Sequence, residues 1–390
     1  MGPKNDMAVI SSSMMDEIER RKEAVRRVWD NRRVEHIPIM LQVASNPCGY
    51  TTQEHFLDGD KQFHMEFEGV KKSLEMVPDD YIPSMRVDLG CVIIESALGA
   101  EVVFGCNPNQ TCTVKEPILQ TVEDIYSLKT PDPHRDGLVP EGLRRIKSFV
   151  ERTDGQVYVS GLDMGGPMNV AFTLLGGTGF YMMSYDAPEA LEYLADFIAD
   201  VFILFAEAGI EAAGGVDHVT TTDFPYWWQP ENYKGHMSDD ICAQYSPEFF
   251  NRFSKPYNNK IFRRFGGGMM HNCGPNPCAG EYLSHEPRIR AVDLAYDYSK
   301  NDLGKFKVAF RGEGLIYFTF GGPDHGVSDY RHAMDILAPD VICVPCVTCG
   351  PDEDVRAIYS AYLDISREYA ARMNWRGECS SSGSMSNSSC

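Results

Sequence analysis

Nowhere does this chain carry an apolar run long enough to cross a bilayer, which takes about 20 such residues. Residues 1–30 are polar and then helical in pattern, without the apolar centre of a secretion signal. A cytoplasmic protein with no membrane partner is expected. Positive charge is also scarce, 36 Lys and Arg against 56 Asp and Glu, for a net charge of −20. That balance argues against nucleic acid, whose phosphates need a basic surface, and leaves room for a protein partner with a basic face. No G-x-G-x-x-G follows the first apolar strand. The glycine pairs at 165–166 and 176–177 lack the Gly-Lys-Ser/Thr ending of a phosphate loop. Close backbone packing is the better account of them. Twelve cysteines in 390 residues are too few for a disulfide framework. They read as core thiols plus a metal site.

What is present is a rhythm of short apolar strands and longer helical stretches. Strands are expected at 37–42, 81–89, 157–160, 216–222, 269–273, 290–294, 307–310 and 341–345. Helices are expected at 15–31, 53–77, 144–152, 188–213, 246–265 and 351–373. The helix at 246 opens Ser-Pro-Glu, with serine as cap and proline at the first helical position. Residues 101–121 read as a turn-rich excursion. Alternation of this kind predicts an α/β fold with a parallel sheet, and eight units favour a (β/α)8 TIM barrel over a doubly wound sheet. Residues 1–376 are expected to form one barrel domain with an N-terminal helical extension and loop insertions. Residues 377–390 read as an unstructured tail.

The chemistry gathers where strands end. His271 and Cys273, two residues apart, project from one face of a strand. An imidazole and a thiolate side by side are half of a tetrahedral zinc site. Cys343, Cys346 and Cys349 lie on and just past the last strand. Cys343 is placed for the core, while spacing leaves Cys346 and Cys349 equally open as a third ligand. Asp88, Asp163, Asp223 and Glu313 are read as strand-end acids, the last three able to supply a fourth ligand or manage protons. Phe224, Tyr226, Trp227 and Trp228 follow Asp223 directly and read as the wall of a pocket for a flat ligand. His236, His285 and His325 are read as surface loop residues.

Taken in order, several segments resemble the uroporphyrinogen decarboxylase superfamily: residues 25–42, SGLDMGGPMN at 160–169, 188–209, SPEFFNRFSKPY at 246–257, His271 to Gly274, and PDEDVRA at 351–357. The resemblance covers most of residues 20–370 and implies a (β/α)8 barrel. True decarboxylases of the family carry arginines after the first strand to grip substrate carboxylates. Here that place reads Leu41-Gln42-Val43-Ala44-Ser45-Asn46. Asp88 matches the position of their substrate-binding aspartate. The H-x-C pair with a later cysteine is similar instead to the corrinoid-dependent methyltransferase branch, where one histidine and two cysteines bind zinc. The resemblance therefore implies Zn²⁺ on His271, Cys273 and Cys346, the last because it follows Val344-Pro345.

The function expected is zinc-dependent transfer of a methyl group from a methoxylated, aromatic small molecule to the cobalt of a corrinoid (cobalamin). A separate corrinoid protein would carry that cofactor, and a homodimer is compatible with it. Tyr226, Trp227, Trp228 and Asp88 would bind the donor. The alternatives are a methyl-corrinoid:thiol methyltransferase of the coenzyme M type and a decarboxylase.

Overall fold

A computed structural model describes residues 10–78, 80–284, 288–322 and 324–376. His285 and the 377–390 tail lie outside the described residues. The strands are β1 (Met40–Val43), β2 (Ser84–Met85), β3 (Val102–Val103), β4 (Thr113–Val114), β5 (Tyr158–Val159), β6 (Gly235–Ser238), β7 (Gly268–Asn272), β8 (Ile289–Ala295), β9 (Leu315–Thr319) and β10 (Ile342–Cys349). Six of them form one curled parallel sheet in the order β1-β10-β9-β8-β7-β6, and β2 pairs in parallel with β5. Residues 219–222 bridge the two sheets. Thr220 N donates to Val159 O and Thr222 N to Lys234 O, both at 2.9 Å. The result is a TIM-barrel-like α/β fold. The excursion holds the short antiparallel pair β3 and β4.

Several local expectations shift. Residues 216–222 contain a turn of 3-10 helix at Val216–His218, and the ladder strand is β6, whose Gly235-His236-Met237-Ser238 looks polar enough to pass for a loop. Residues 307–310 fall on and just after the helix Leu303–Ala309, and the strand there is β9. The helix Pro167–Asp186 adds to the expected set. It starts where Gly166 lies so close to Ser238 and Met237 that a side chain would collide with them, and Gly176 (φ 70°) kinks it. The closing helix is Val355–Ala370, with Asp354 as its cap accepting from Ala357 N, so Asp352 and Glu353 stand before it. Ser246 caps as expected, accepting from Phe249 N with Pro247 next.

The helix Ser12–Trp29 closes the N-terminal end of the barrel. Trp29 is fully buried, donates from Nε1 to the Tyr317 hydroxyl at 2.7 Å, and accepts from Arg290 at its carbonyl. With that end plugged, strand C-termini define the open mouth, the position of chemistry in such barrels. The helix Pro188–Ala212 buries an apolar stripe from Leu191 to Ala208. Among the described residues no helix is long and apolar enough to cross a membrane.

Candidate metal centre and its surroundings

His271 stands near the end of β7 and Cys273 one residue past it. The parity argument of the strand holds locally, and Cys273 Sγ lies 3.4 Å from His271 Nε2. Asp240, in the turn after β6, brings Oδ1 to 3.6 Å from the same nitrogen and accepts from Cys273 N at 3.0 Å. The donor atoms of Asp240, His271 and Cys273 all lie within 4.8 Å of one another. For zinc bonds of about 2.1 Å to nitrogen or oxygen and 2.3 Å to sulfur, tetrahedral edges are roughly 3.5 Å. The two spacings to His271 Nε2 are of that size, so these residues fit the metal. Asp293, on β8, holds His271 Nδ1 at 3.2 Å, which directs Nε2 to the centre as carboxylate partners do in zinc sites. Burial opposes a charge on His271, but Asp293 outweighs it and the imidazole is raised well above its ordinary value.

Cys346 sits within β10, fully buried, opposite Thr319 and Met40. Burial first, then the charge of Asp293, raises its thiol well above the ordinary value. It is not part of the three-residue cluster. Cys349 ends β10 in a different group, with His325 and Glu353. His325, in its loop, is half-buried.

A chain of buried and half-buried groups runs from the centre across the barrel. Phe224 packs edge-on to His271 and His236, with ring centroids at 5.3 and 5.1 Å. His236, expected on the surface, is fully buried on β6. Its Nδ1 faces Asp223 Oδ2 at 3.4 Å and its Nε2 faces Asp293 Oδ2 at 3.9 Å. Asp223 is fully buried and also accepts from Met164 N at 3.1 Å. Beyond Phe224 lies Arg86, its guanidinium 5.2 Å from the ring centre. Arg86 Nη2 meets Asp163 Oδ2 at 2.7 Å and Asp88 Oδ1 at 4.0 Å. Cys91 Sγ donates to Asp163 at 2.9 Å. Burial pushes Asp163 up to about 6, against the pull of Arg86. Glu66 accepts from Arg86 N at 2.8 Å, and burial pushes it up to about 7.

Alongside opens a cavity of about 630 Å³. Gln42, Ala44, Ser45, Glu66, Tyr226 and Thr348 are among the residues that line it, and among the described residues no lysine or arginine does.

The aromatic loop divides. Tyr226 faces this cavity and Trp227 is half-buried. Trp228 corrects the expectation of a pocket wall. It is 2% exposed and lies under Lys22, Arg26 and Lys234, with cations 4.9–5.2 Å from its ring. Two of those cations belong to the helix at the closed end of the barrel. Glu313 needs the same correction. It precedes β9, at the closed end, and its carbonyl accepts from Arg290. It follows the helix Leu303–Ala309, so it marks the beginning of a strand and not an end. Sequence reasoning missed Arg86, Asp240 and Asp293. A signal exists for two of them. Asp293 interrupts the otherwise apolar run 291–295, and Arg86 lies two residues before Asp88, at the same strand parity.

Comparisons with known proteins agree with this architecture. The chain is 26% identical over 159 residues to uroporphyrinogen decarboxylase of Syntrophotalea carbinolica, covering 39% of this chain and 40% of that protein. It is 23% identical over 216 residues to methylcobamide:CoM methyltransferase MtaA of Methanosarcina barkeri, covering 53% and 58%. Each match spans less than two thirds of the relative's length. A solved methyltransferase from Methanosarcina mazei shares the fold, with a TM-score of 0.66 and 17% identity over 89% of this chain and 98% of that one. The family model for uroporphyrinogen decarboxylase (URO-D) matches residues 20–302, and the chain belongs to that family.

Proposed function

We propose that this protein is a zinc-dependent methyltransferase that moves a methyl group between a small molecule and the cobalt of a corrinoid carried by a partner protein. The observation that carries the reading is the His271–Cys273–Asp240 cluster at a barrel mouth, with Asp293 behind the histidine. The likeness to MtaA, by its name a methylcobamide:CoM methyltransferase, supports it. Decarboxylation of a polycarboxylate is the weaker reading, because among the described residues the neighbouring cavity has no basic lining and contains Glu66.

When bound, zinc supplies Lewis acidity for a poor oxygen leaving group, or in the opposite direction favours the thiolate form of a thiol. Its protein ligands are His271 and Cys273, with Cys346 the third by family resemblance and Asp240 the third by proximity. The remaining work falls to the chain itself. Asp293 fixes the His271 ring. Phe224 shields the two imidazoles from water. Asp163, paired with Arg86 and shifted to about 6, holds or releases a proton near neutrality. Asp223 orients His236. Asp88, Tyr226 and Trp227 remain the candidates for donor contact, and Tyr226 faces the cavity.

A methoxylated aromatic donor fits Phe224 and Tyr226 as flat surfaces. A thiol acceptor is the second reading, favoured by the MtaA likeness. The discriminating experiment supplies zinc-loaded protein with cobalt(I) cobalamin and a panel of methoxybenzenes, or with methylcobalamin and a thiol. Methyl-cobalt forming in the first mixture supports the aromatic donor. Its loss only in the second supports the thiol. No change in either, with CO₂ released from a porphyrinogen acid, overturns the proposal.

A further inference from the structure

His325, Cys349 and Glu353 bring their donor atoms within 4.8 Å of one another. In sheet order β9 and β8 separate Cys349, the last residue of β10, from His271 on β7. His325 lies in the segment between β9 and the helix Val327–Leu337, and Glu353 in the turn between β10 and the helix Val355–Ala370. Three separate pieces of chain therefore converge at one point of the barrel rim.

The geometry resembles a coordination shell more than a chance ion pair. His325 Nε2 faces Glu353 Oε1 at 3.4 Å, close to the roughly 3.4 Å edge expected between nitrogen and oxygen ligands of one zinc ion. The other carboxylate oxygen accepts from Gly350 N at 2.5 Å, which fixes the side chain. His325 holds a left-handed backbone, φ 54°, uncommon outside glycine, and its carbonyl accepts from the Tyr362 hydroxyl at 2.7 Å. Cys349 is a free thiol, 1% exposed. A buried cysteine needs no imidazole and carboxylate beside it for packing alone.

We infer that His325, Cys349 and Glu353 form a second divalent-metal site of the zinc class, separate from the His271 centre. Nitrogen, sulfur and oxygen donors suit Zn²⁺ or Co²⁺, and too few oxygens converge for Ca²⁺ or Mg²⁺. One thiolate and one carboxylate neutralise a dication. Binding releases the thiol proton to solvent, because the thiolate is the ligand. The ion would tie the β9 and β10 exit loops together at the mouth. The inference does not rest on the methyl-transfer reading.

The test is metal analysis of the full chain after dialysis. Wild type should hold about two zinc ions, one for each three-ligand site. His325→Ala and Cys349→Ser should each lose one, and His271→Ala with Cys273→Ala should lose the other. In that double variant, added Co²⁺ should give a thiolate-to-cobalt absorption band that Cys349→Ser removes. Glu353→Gln provides a milder variant should the others unfold, and should weaken Co²⁺ binding several-fold. If Cys349→Ser and His271→Ala remove the same single ion, Cys349 belongs to the first centre and the inference falls. It falls equally if His325→Ala keeps full zinc and the double variant shows no cobalt–thiolate band. Loss of metal only from the His325 variants would uphold it while refuting zinc at His271.

Discussion

His271 depends on two neighbours for its chemistry. Asp293 fixes its Nδ1, and Phe224 covers its ring. Replacing His271 or Cys273 by alanine should remove one equivalent of zinc and leave the fold intact, as read by metal analysis and circular dichroism. The third ligand is decided by the same measurement. If Asp240 is the ligand, Asp240→Ala loses that equivalent and Cys346→Ser keeps it. If Cys346 serves, the outcomes exchange. The aromatic residues separate just as sharply. Trp228→Ala should destabilise the protein by about 3–5 kcal/mol, as removal of a large buried aromatic does, without changing zinc content. Phe224→Ala should raise the apparent Michaelis constant for the methyl-transfer substrate several-fold and cost less stability.

At the scale of elements, the short helix Ile93–Ala97 carries a buried acid close to Asp163. Glu95 is 2% exposed, and burial, reinforced by Asp163, pushes it up to about 8 from 4.5. The folded protein thus keeps a proton that the unfolded chain sheds. Below pH 4.5 both forms are protonated and the group costs nothing. Between 4.5 and about 8 stability falls as pH rises, and above 8 the cost is complete. Glu95→Gln should therefore match wild type near pH ~4 and exceed it near pH ~9 by on the order of 2–4 kcal/mol, measured by denaturant titration. The sequence reveals elements where periodicity is strong, as in Pro188–Ala212, or where a cap is explicit, as at Ser246. It misleads where burial is set by neighbours. The sequence Gly-His-Met-Ser of β6 has no apolar alternation, yet all four residues are buried between β7 and residues 219–222. The H-x-C pair is legible because two residues of one strand face share a parity. Asp293 and Arg86 leave only a weak trace in the sequence, and Asp240 leaves none, because strand pairing and the turn after β6 set their distance from His271.

For the whole molecule, one end is plugged by the helix Ser12–Trp29 and the other gathers Asp163, Asp223, His236, His271 and Cys273. On the function proposed above, a corrinoid partner would approach this open end. The most direct test follows methyl exchange with cobalamin by its visible spectrum in four samples: wild type, wild type stripped by a chelator, the stripped protein reloaded with zinc, and Cys273→Ala. The account predicts exchange in the first, roughly a hundredfold loss or more in the second and fourth, on the order expected for removal of an essential electrophile, and recovery in the third. Equal exchange in all four, or none in the reloaded protein supplied with every donor and thiol, would contradict it.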